Sequence, residues 1–427
     1  MSELATARRS RQGGDPRQLT VAEILREHAS GFVAKHSRQA APQVRSTLAK
    51  LSLCRTAALG GRTLRCPSCD HRCAVYNSCG DRHCPKCGGA RRFEWLDSTS
   101  ALLLPEVDYF QVVFTLPEAL SALALGNRRA VYDLLFAAAW QALREVLEER
   151  FGFQPAALMV LHTWNQRLEA HAHVHALVPG GGPSRCGRHW IKTRHPRHRR
   201  RRKPYLVDNH LLSERFRAKF LAGLERLHQQ GKLQLGGELA GCVEQFTALL
   251  DGLRSRPWVV YVEAPPSENA SPENVVKYLA RYMTGGPISD RRLVAHARRE
   301  VTFLARSTEK SKSGGAARLV PVTLSGVEFT RRWSLHILPK GYTKVRRYGG
   351  YSNRRRTTYL HCCRKLLRLS PLSTDARPET PSRADGDSSA PRCPKCSTAM
   401  TCLADTARSS WAVVMTGPDR PVWYRDD

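Results

Sequence analysis

The chain runs to 427 residues, enough to bury substantial cores and, on length, to divide into roughly three domains. Lys and Arg number 68 against 37 Asp and Glu, a formal charge of +31 that would repel itself in a compact state unless met by a polyanion. No long apolar segment, lipidation signal or secretory leader stands out. That argues against a membrane anchor, favours DNA or RNA as partner, predicts a cytoplasmic protein, and makes the 14 cysteines metal ligands rather than disulfides.

In chain order, residues 1–20 read as a disordered N-terminus and Thr20 to about His36 as a helix. Cysteines then gather between Cys54 and Cys87. Two CxxC pairs, Cys66-Pro67-Ser68-Cys69 and Cys84-Pro85-Lys86-Cys87, are separated by 14 residues. Each such turn places two thiolates about one ion and two complete a tetrahedral shell, so Cys66, Cys69, Cys84 and Cys87 are the expected zinc ligands. A closed four-thiolate site has no open position for substrate, so this zinc is structural. Cys54, Cys73, Cys79, His71 and His83 are left over in the same segment, which keeps a second ion or another ligand set open.

The texture changes at Tyr109–Leu116, a run of aromatic and β-branched residues closed by Pro117 that reads as a strand. Glu118–Arg150 has helical spacing, split near Gly126-Asn127. Ala157–Trp164 is a second strand, and the run His171-Ala172-His173-Val174-His175-Ala176-Leu177-Val178 a third, ending at Pro179 and three glycines. So few residues separate these two that they should pair antiparallel. Alternation along a strand points all three imidazoles to one face, where neutral imidazole readily grips a metal ion. Arg194–Lys203 carries seven Arg or Lys and two His in ten residues and reads as a loop. Asn209–Gln230 reads as a helix, Trp258–Glu263 as a strand and Pro265–Pro272 as a link.

Pro272 opens a helix from Glu273 to about Met283, ended by Gly285-Gly286-Pro287. It carries Tyr278 and Tyr282 four residues apart, hence on one face. Beside Val275, Leu279 and Met283 they suit a helix core. With a metal-binding histidine cluster in the same chain they also suit attack on a polarised phosphodiester, flanked by Lys277 and Arg281 as phosphate contacts. Trp333–Leu338 and Tyr342–Tyr348 flank Pro339-Lys340-Gly341, a hairpin signal, and Pro371–Pro391 reads as a flexible linker. Beyond it Cys393-Pro394-Lys395-Cys396, with Cys402 and the Cys362-Cys363 pair, offers thiols for another zinc site. The expected division is a disordered 1–20, a helical and zinc-binding domain over 21–100, a catalytic domain over 105–355, and a basic stretch, linker and CxxC segment over 356–427.

Taken together these segments resemble the rolling-circle insertion-sequence transposases of the two-tyrosine class, the IS91 family, which use an HUH (His-hydrophobic-His) endonuclease domain. The resemblance covers roughly residues 50–355. It rests on Asn77-Ser78-Cys79 with Arg82-His83-Cys84-Pro85-Lys86-Cys87, on Phe114-Thr115-Leu116-Pro117, and on Leu161-His162-Thr163-Trp164. The histidine triplet, Tyr278-Leu279-Ala280-Arg281-Tyr282, His336-Ile337-Leu338-Pro339-Lys340-Gly341 and Arg347-Tyr348-Gly349 complete it. The family usually places Pro between the first two histidines, where this chain has Ala172.

The resemblance implies an α+β fold: an antiparallel palm sheet with flanking helices, preceded by a small zinc-ribbon-like domain. It implies Mg or Mn on His173 and His175 and a third ligand, for which Gln166 is the first choice and His171, His162 and Glu169 are alternatives. Tyr278 would nick DNA and keep the 5′ phosphate, and Tyr282 would take the other end during strand transfer. The implied partners are single-stranded DNA at transposon ends, target DNA and the host replication machinery, with the protein at the bacterial nucleoid. Arg199 and Arg200, Lys340, Arg346 and Arg347, and Arg354-Arg355-Arg356 are the expected phosphate contacts. Trp333, Tyr342, Tyr348 and Tyr351 interleave with that charge as stacking platforms or core residues. Two other readings compete. A plasmid replication initiator or relaxase would use the same chemistry, and a non-catalytic zinc-containing regulator would leave the histidines and tyrosines unexplained.

Overall fold

Thr20 starts the first helix, α1 (Val21–Lys35): its hydroxyl accepts from the Glu23 amide while the Glu23 carboxylate accepts from the Thr20 amide, a reciprocal cap. The computed structural model describes residues 19–88, 99–100, 102–194, 205–240, 243–264, 286–307, 318–370 and 390–424. Residues 1–18 of the expected disordered N-terminus, the basic loop after Arg194, the Pro265–Pro272 link, the expected tyrosine helix and almost all of the Pro371–Pro391 linker lie outside the described residues. Helix α2 (Pro42–Ser52) opens on a proline, which suits a position with no helical partner for its nitrogen. Strands β1 (Gly61–Arg65) and β2 (Arg72–Tyr76) then form an antiparallel hairpin around the first CxxC turn.

The palm begins with β3 (Tyr109–Thr115). The helical stretch that follows divides as expected into α3 (Ser121–Gly126) and α4 (Arg128–Phe151). Asn127 makes the break: its side-chain amide donates to the carbonyls of Leu123 and Gln234 and its oxygen accepts from the Gln234 amide. Gly152, at φ 73°, then ends α4 in a left-handed cap that other residues adopt at a cost. Strands β4 (Ala156–Trp164) and β5 (Ala170–Pro179) pair antiparallel, with His162 directly opposite His173. Beyond the short hairpin of β6 (Gly181–Pro183) and β7 (Trp190–Lys192) come α5 (Asn209–Gln229), α6 (Val243–Ser255) and β8 (Val260–Glu263).

With β12 (Val345–Gly349), these strands make one sheet in the order β12-β4-β5-β3-β8, antiparallel throughout. Phe110, Val112, Phe114, Met159, Leu161, Val174 and Val178 line one face and are buried with Leu135, Phe136 and Leu143 of α4 and Phe216 and Phe220 of α5. Burying a side chain of that size is worth about 1.5–3 kcal/mol, so this face holds the helices. Strict alternation then sends the opposite set, including His162, His173 and His175, to the other face.

The chain continues through a second antiparallel sheet that the sequence pattern did not disclose: β9 (Leu293–Ala297), β10 (Glu300–Arg306) and β11 (Leu319–Ser325). Ser325 caps α7 (Gly326–Ser334), whose Phe329 and Trp333 are buried in the same cluster as Ile24, Leu25 and Phe32 of α1. This corrects the expected hairpin: Trp333 belongs to a helix, because a serine cap and an amphipathic repeat outweigh its strand propensity. Only the second limb is extended, as β12. Gly326 is dictated by a close approach, since a Cβ there would overlap the ring of His28, whose Nε2 lies 2.8 Å from His296 Nε2 on β9. Helix α8 (Arg356–Leu366) occupies the expected basic stretch, burying Tyr359, Leu360 and Cys363. Across the linker, β13 (Thr401–Thr406) adds to β1 as a third strand, followed by α9 (Trp411–Thr416).

Candidate active site and metal centres

Three imidazoles meet on the palm face away from the helices. His173 and His175 come from β5 and His162 from β4, and their ligand nitrogens all lie within 4.8 Å of one another. Burial pushes the ring of His173 down to about 3 and that of His175 to about 4, so both are neutral near pH 7, the form that binds metal. The tautomers are set as well. His173 Nδ1 sits 2.9 Å from the carbonyl of His171, where only an N–H can make a bond, so its lone pair is on Nε2. His175 Nδ1 lies 2.8 Å from the Gln111 side-chain amide, and the buried Gln111 Oε1 has no hydrogen-bond partner among the described residues. Turning that amide, whose oxygen and nitrogen are interchangeable by shape, lets Oε1 accept the Nδ1 proton and frees Nε2 of His175. One rotation satisfies an orphaned oxygen and completes a three-nitrogen donor set, so the residues fit a divalent ion.

The structure does not bring Gln166 to these rings. Strand β4 ends at Trp164, and Asn165 turns the chain by accepting from the amides of Arg167 and Glu169. Gln166 is left exposed in that turn, its carbonyl bound by Arg292. Glu169 pairs with Arg332 at 3.1 Å, and His171, beyond the cluster on the same strand, lies beside His173 with ring centroids 5.3 Å apart and the planes tilted by 51°. His162 takes the third place because β4–β5 register sets it opposite His173. Trp164 lies flat against it, centroids 4.6 Å apart, and the Lys344 ammonium sits 5.1 Å from the same indole. Burial lowers Lys344 to about 8, and its charge helps keep His175 unprotonated. Sequence reasoning missed both Gln111 and Lys344. Gln111 was open to discovery as the one amide side chain in an aromatic, β-branched strand.

Of the expected DNA contacts, Lys277, Arg281, Arg199 and Arg200, like Tyr278 and Tyr282, lie outside the described residues. Lys340 stands exposed at the turn before β12, its carbonyl held by Arg129. Arg346 is committed elsewhere: its guanidinium pairs with Asp133 and lies over the rings of Phe136 and Tyr342, on the core face. Arg347, one residue on, opposes Leu158 and so shares the imidazole face. Among the expected stacking platforms Trp333, Tyr342 and Tyr351 are buried core residues, and Tyr348 stacks on Trp140.

The thiols sort differently from their order in the chain. Cys84 and Cys87 do not join Cys66 and Cys69; they cluster with Cys54 and Cys79, at sulfur separations of 3.5–3.7 Å. Cys66 and Cys69 stand with Cys393 and Cys396 instead, at 3.3–3.6 Å. The β1–β2 hairpin separates the two CxxC turns, while the pairing of β13 with β1 carries the C-terminal turn alongside the first. Cys362, Cys363 and Cys402 belong to neither set. The Cys54 set also abuts the palm: Arg82 donates to the carbonyls of Leu338, Pro339 and Tyr342, and His83 Nε2 accepts from the Leu338 amide, its Nδ1 proton fixed on Asp81.

Two sequence families match the chain. One, described as a transposase zinc-binding domain, covers residues 24–116, and another, described as "Putative transposase", covers residues 156–358. The chain is 39% identical to "Putative transposase y4qJ" of Sinorhizobium fredii over 88% of this chain and 92% of that protein. The chain belongs to the IS91-family transposases. It is also 28% identical to "Transposase for insertion sequence element IS801" of Pseudomonas savastanoi pv. phaseolicola, over 76% of this chain and 74% of that one. No solved structure matches. In this transposase the zinc-binding match encloses the whole Cys54 set, and the second match encloses the three imidazoles and the Leu338–Tyr342 turn on which Arg82 docks. No helix among the described residues is long and apolar enough to cross a membrane.

Proposed function

We propose that the transposase nicks single-stranded DNA at transposon ends and joins strands through a covalent phosphotyrosine. The observation that supports this best is the trio His162, His173 and His175, whose ligand nitrogens lie within 4.8 Å of one another, with the rings of His173 and His175 neutral and their Nδ1 atoms engaged so that Nε2 is left to bind an ion. Magnesium or manganese held there would polarise the scissile phosphodiester, and a set of imidazoles favours manganese of the two. Gln111 orients His175, and Lys344 and Arg347 place positive charge on the same face to hold the DNA backbone. The phenol oxygen of Tyr278 gives up its proton as it attacks phosphorus, the bond from phosphorus to the 3′ oxygen breaks, and the departing oxygen takes up a proton to become a 3′ hydroxyl, so that no net proton is gained or lost. Tyr282 takes the second strand end, and the freed hydroxyl primes synthesis by host replication enzymes.

The four thiols Cys54, Cys79, Cys84 and Cys87 hold a structural zinc that keeps Arg82 and His83 seated on the palm. Purified transposase, with manganese and an oligonucleotide from its element's end, should give a covalent protein–DNA species on a denaturing gel. Changing Tyr278 and Tyr282 together to Phe should abolish it. Persistence of the adduct in that variant would refute the reading.

A further inference from the structure

The segment after the linker lies beyond both family matches, which end at residues 116 and 358. It nonetheless carries a second copy of a structure already present near the N-terminus. In the turn Cys66-Pro67-Ser68-Cys69-Asp70, the Asp70 amide donates to the Cys66 carbonyl at 3.0 Å and the Cys66 amide to the His71 carbonyl at 2.9 Å. In Cys393-Pro394-Lys395-Cys396-Ser397 the same two bonds recur: Ser397 to Cys393 at 2.8 Å and Cys393 to Thr398 at 2.8 Å. Asp70 and Ser397 hold equivalent left-handed conformations, at φ 55° and 60°. Side chains enter that region only at a cost of about 1–2 kcal/mol, so the match of two such turns is a built feature.

The two turns face each other. Sulfur separations of 3.3 Å (Cys66–Cys396), 3.6 Å (Cys69–Cys393) and 3.6 Å (Cys69–Cys396) are much too long for disulfides, which close to about 2.05 Å. Around a tetrahedral zinc with bonds of about 2.3 Å, sulfurs stand roughly 3.8 Å apart. Cys69 and Cys396 are exposed, so burial of small apolar side chains does not explain the gathering.

We propose that Cys66, Cys69, Cys393 and Cys396 bind a second structural zinc, so that the C-terminal segment is the missing half of a zinc ribbon begun near the N-terminus. The ion closes the chain on itself. From it, β13 runs along β1 to Arg408, whose guanidinium donates to the Cys79 carbonyl at 2.9 Å, and on to Val414, buried in the same cluster as Leu48 and Leu51 of α2. The C-terminal strap thus ends on the ligand loop of the first thiol set. This inference stands apart from the nicking chemistry and needs none of it.

The test is zinc content of the purified full-length chain by elemental mass spectrometry, after loosely held metal is dialysed away. Replacing Cys393 and Cys396 together with Ser should remove about one zinc per chain. So should replacing Cys66 and Cys69, and the quadruple variant should lose the same single ion. C69H and C396H keep a ligand at the exposed corners and should retain it, which separates lost ligation from a misfolded module. An unchanged zinc content in C393S/C396S, or a quadruple variant in which the two pairs' losses add to two ions, would overturn the proposal.

Discussion

His162, His173 and His175 come from neighbouring strands joined by the turn Asn165–Glu169, whereas Cys66 meets Cys396 across 330 positions of chain. The difference is one of what holds each set. Sheet register brings the imidazoles together with no ion: β4 and β5 pair because Leu161 and Val174, opposite each other, are buried on the helix-covered face, and their neighbours have only the other face to occupy. The thiols gather from loops and a distant tail. Nothing in local pairing forces Cys84 toward Cys54, and an ion that closes so long a loop must offset its entropy. A metal at the palm would therefore be a tenant of a preformed seat, while one at the thiols would be part of the framework.

The sharpest way to break this comparison is His162→Ala. If the seat is preformed, removing one ligand should cost more than the roughly 10–100-fold typical of a residue one step behind the metal, while stability changes little. Adduct yield with manganese and thermal unfolding measured on the same sample separate these outcomes. A large loss of stability would show the palm imidazoles to be framework too, and the contrast would fail.

What the sequence disclosed follows the same divide. The strand at Tyr109, the split helical stretch at Asn127, the β4–β5 pair and the histidine strand were all readable, because each is set by alternation or spacing within a few residues. For the third ligand Gln166 was the first choice and His162 an alternative; the side-chain bonds of Asn165 show that the chain has already turned before Gln166, and it is His162 that joins His173 and His175. The grouping Cys66–Cys69–Cys84–Cys87 failed because spacing reports which thiols share a turn, not which turns share an ion. Adding β13 to β1 across the linker is a long-range pairing with no local signature. The β9–β11 sheet escaped for another reason. Its outer strands are short or largely exposed, and Pro321 stands inside β11, a residue that normally argues against a strand.

Gln111→Leu sharpens the comparison from the other side. If Gln111 only fixes the tautomer of His175, the variant should lose about 10–100-fold in apparent manganese affinity and recover cleavage at saturating metal. Titrating the ion against adduct yield at fixed oligonucleotide measures this. Loss that no manganese concentration restores would mean that Gln111 touches the DNA or the reacting atoms.

The smallest effect concerns the contact between the two regions. Glu328 on α7 accepts from Arg331 and Arg332, and Arg332 reaches on to Glu169 in the turn that joins the histidine strands. The Arg331 guanidinium in particular pulls the Glu328 carboxyl down to about 2, against some opposing cost of burial. A depressed carboxyl stabilises the fold fully above the usual carboxylate range, and the contribution fades as pH falls through that range toward about 2. Glu328 is partly exposed, so the worth of the network at neutral pH is about 1 kcal/mol. Urea unfolding of wild type and Glu328→Gln should differ by that amount at pH 7 and converge as pH falls from about 4.5 toward 2. Cleavage should stay near wild type if the palm seat is set by sheet register alone. A gap in stability that ignores pH would remove the carboxylate from the account, and a matching loss of cleavage would mean that the turn, and with it the seat, leans on α7.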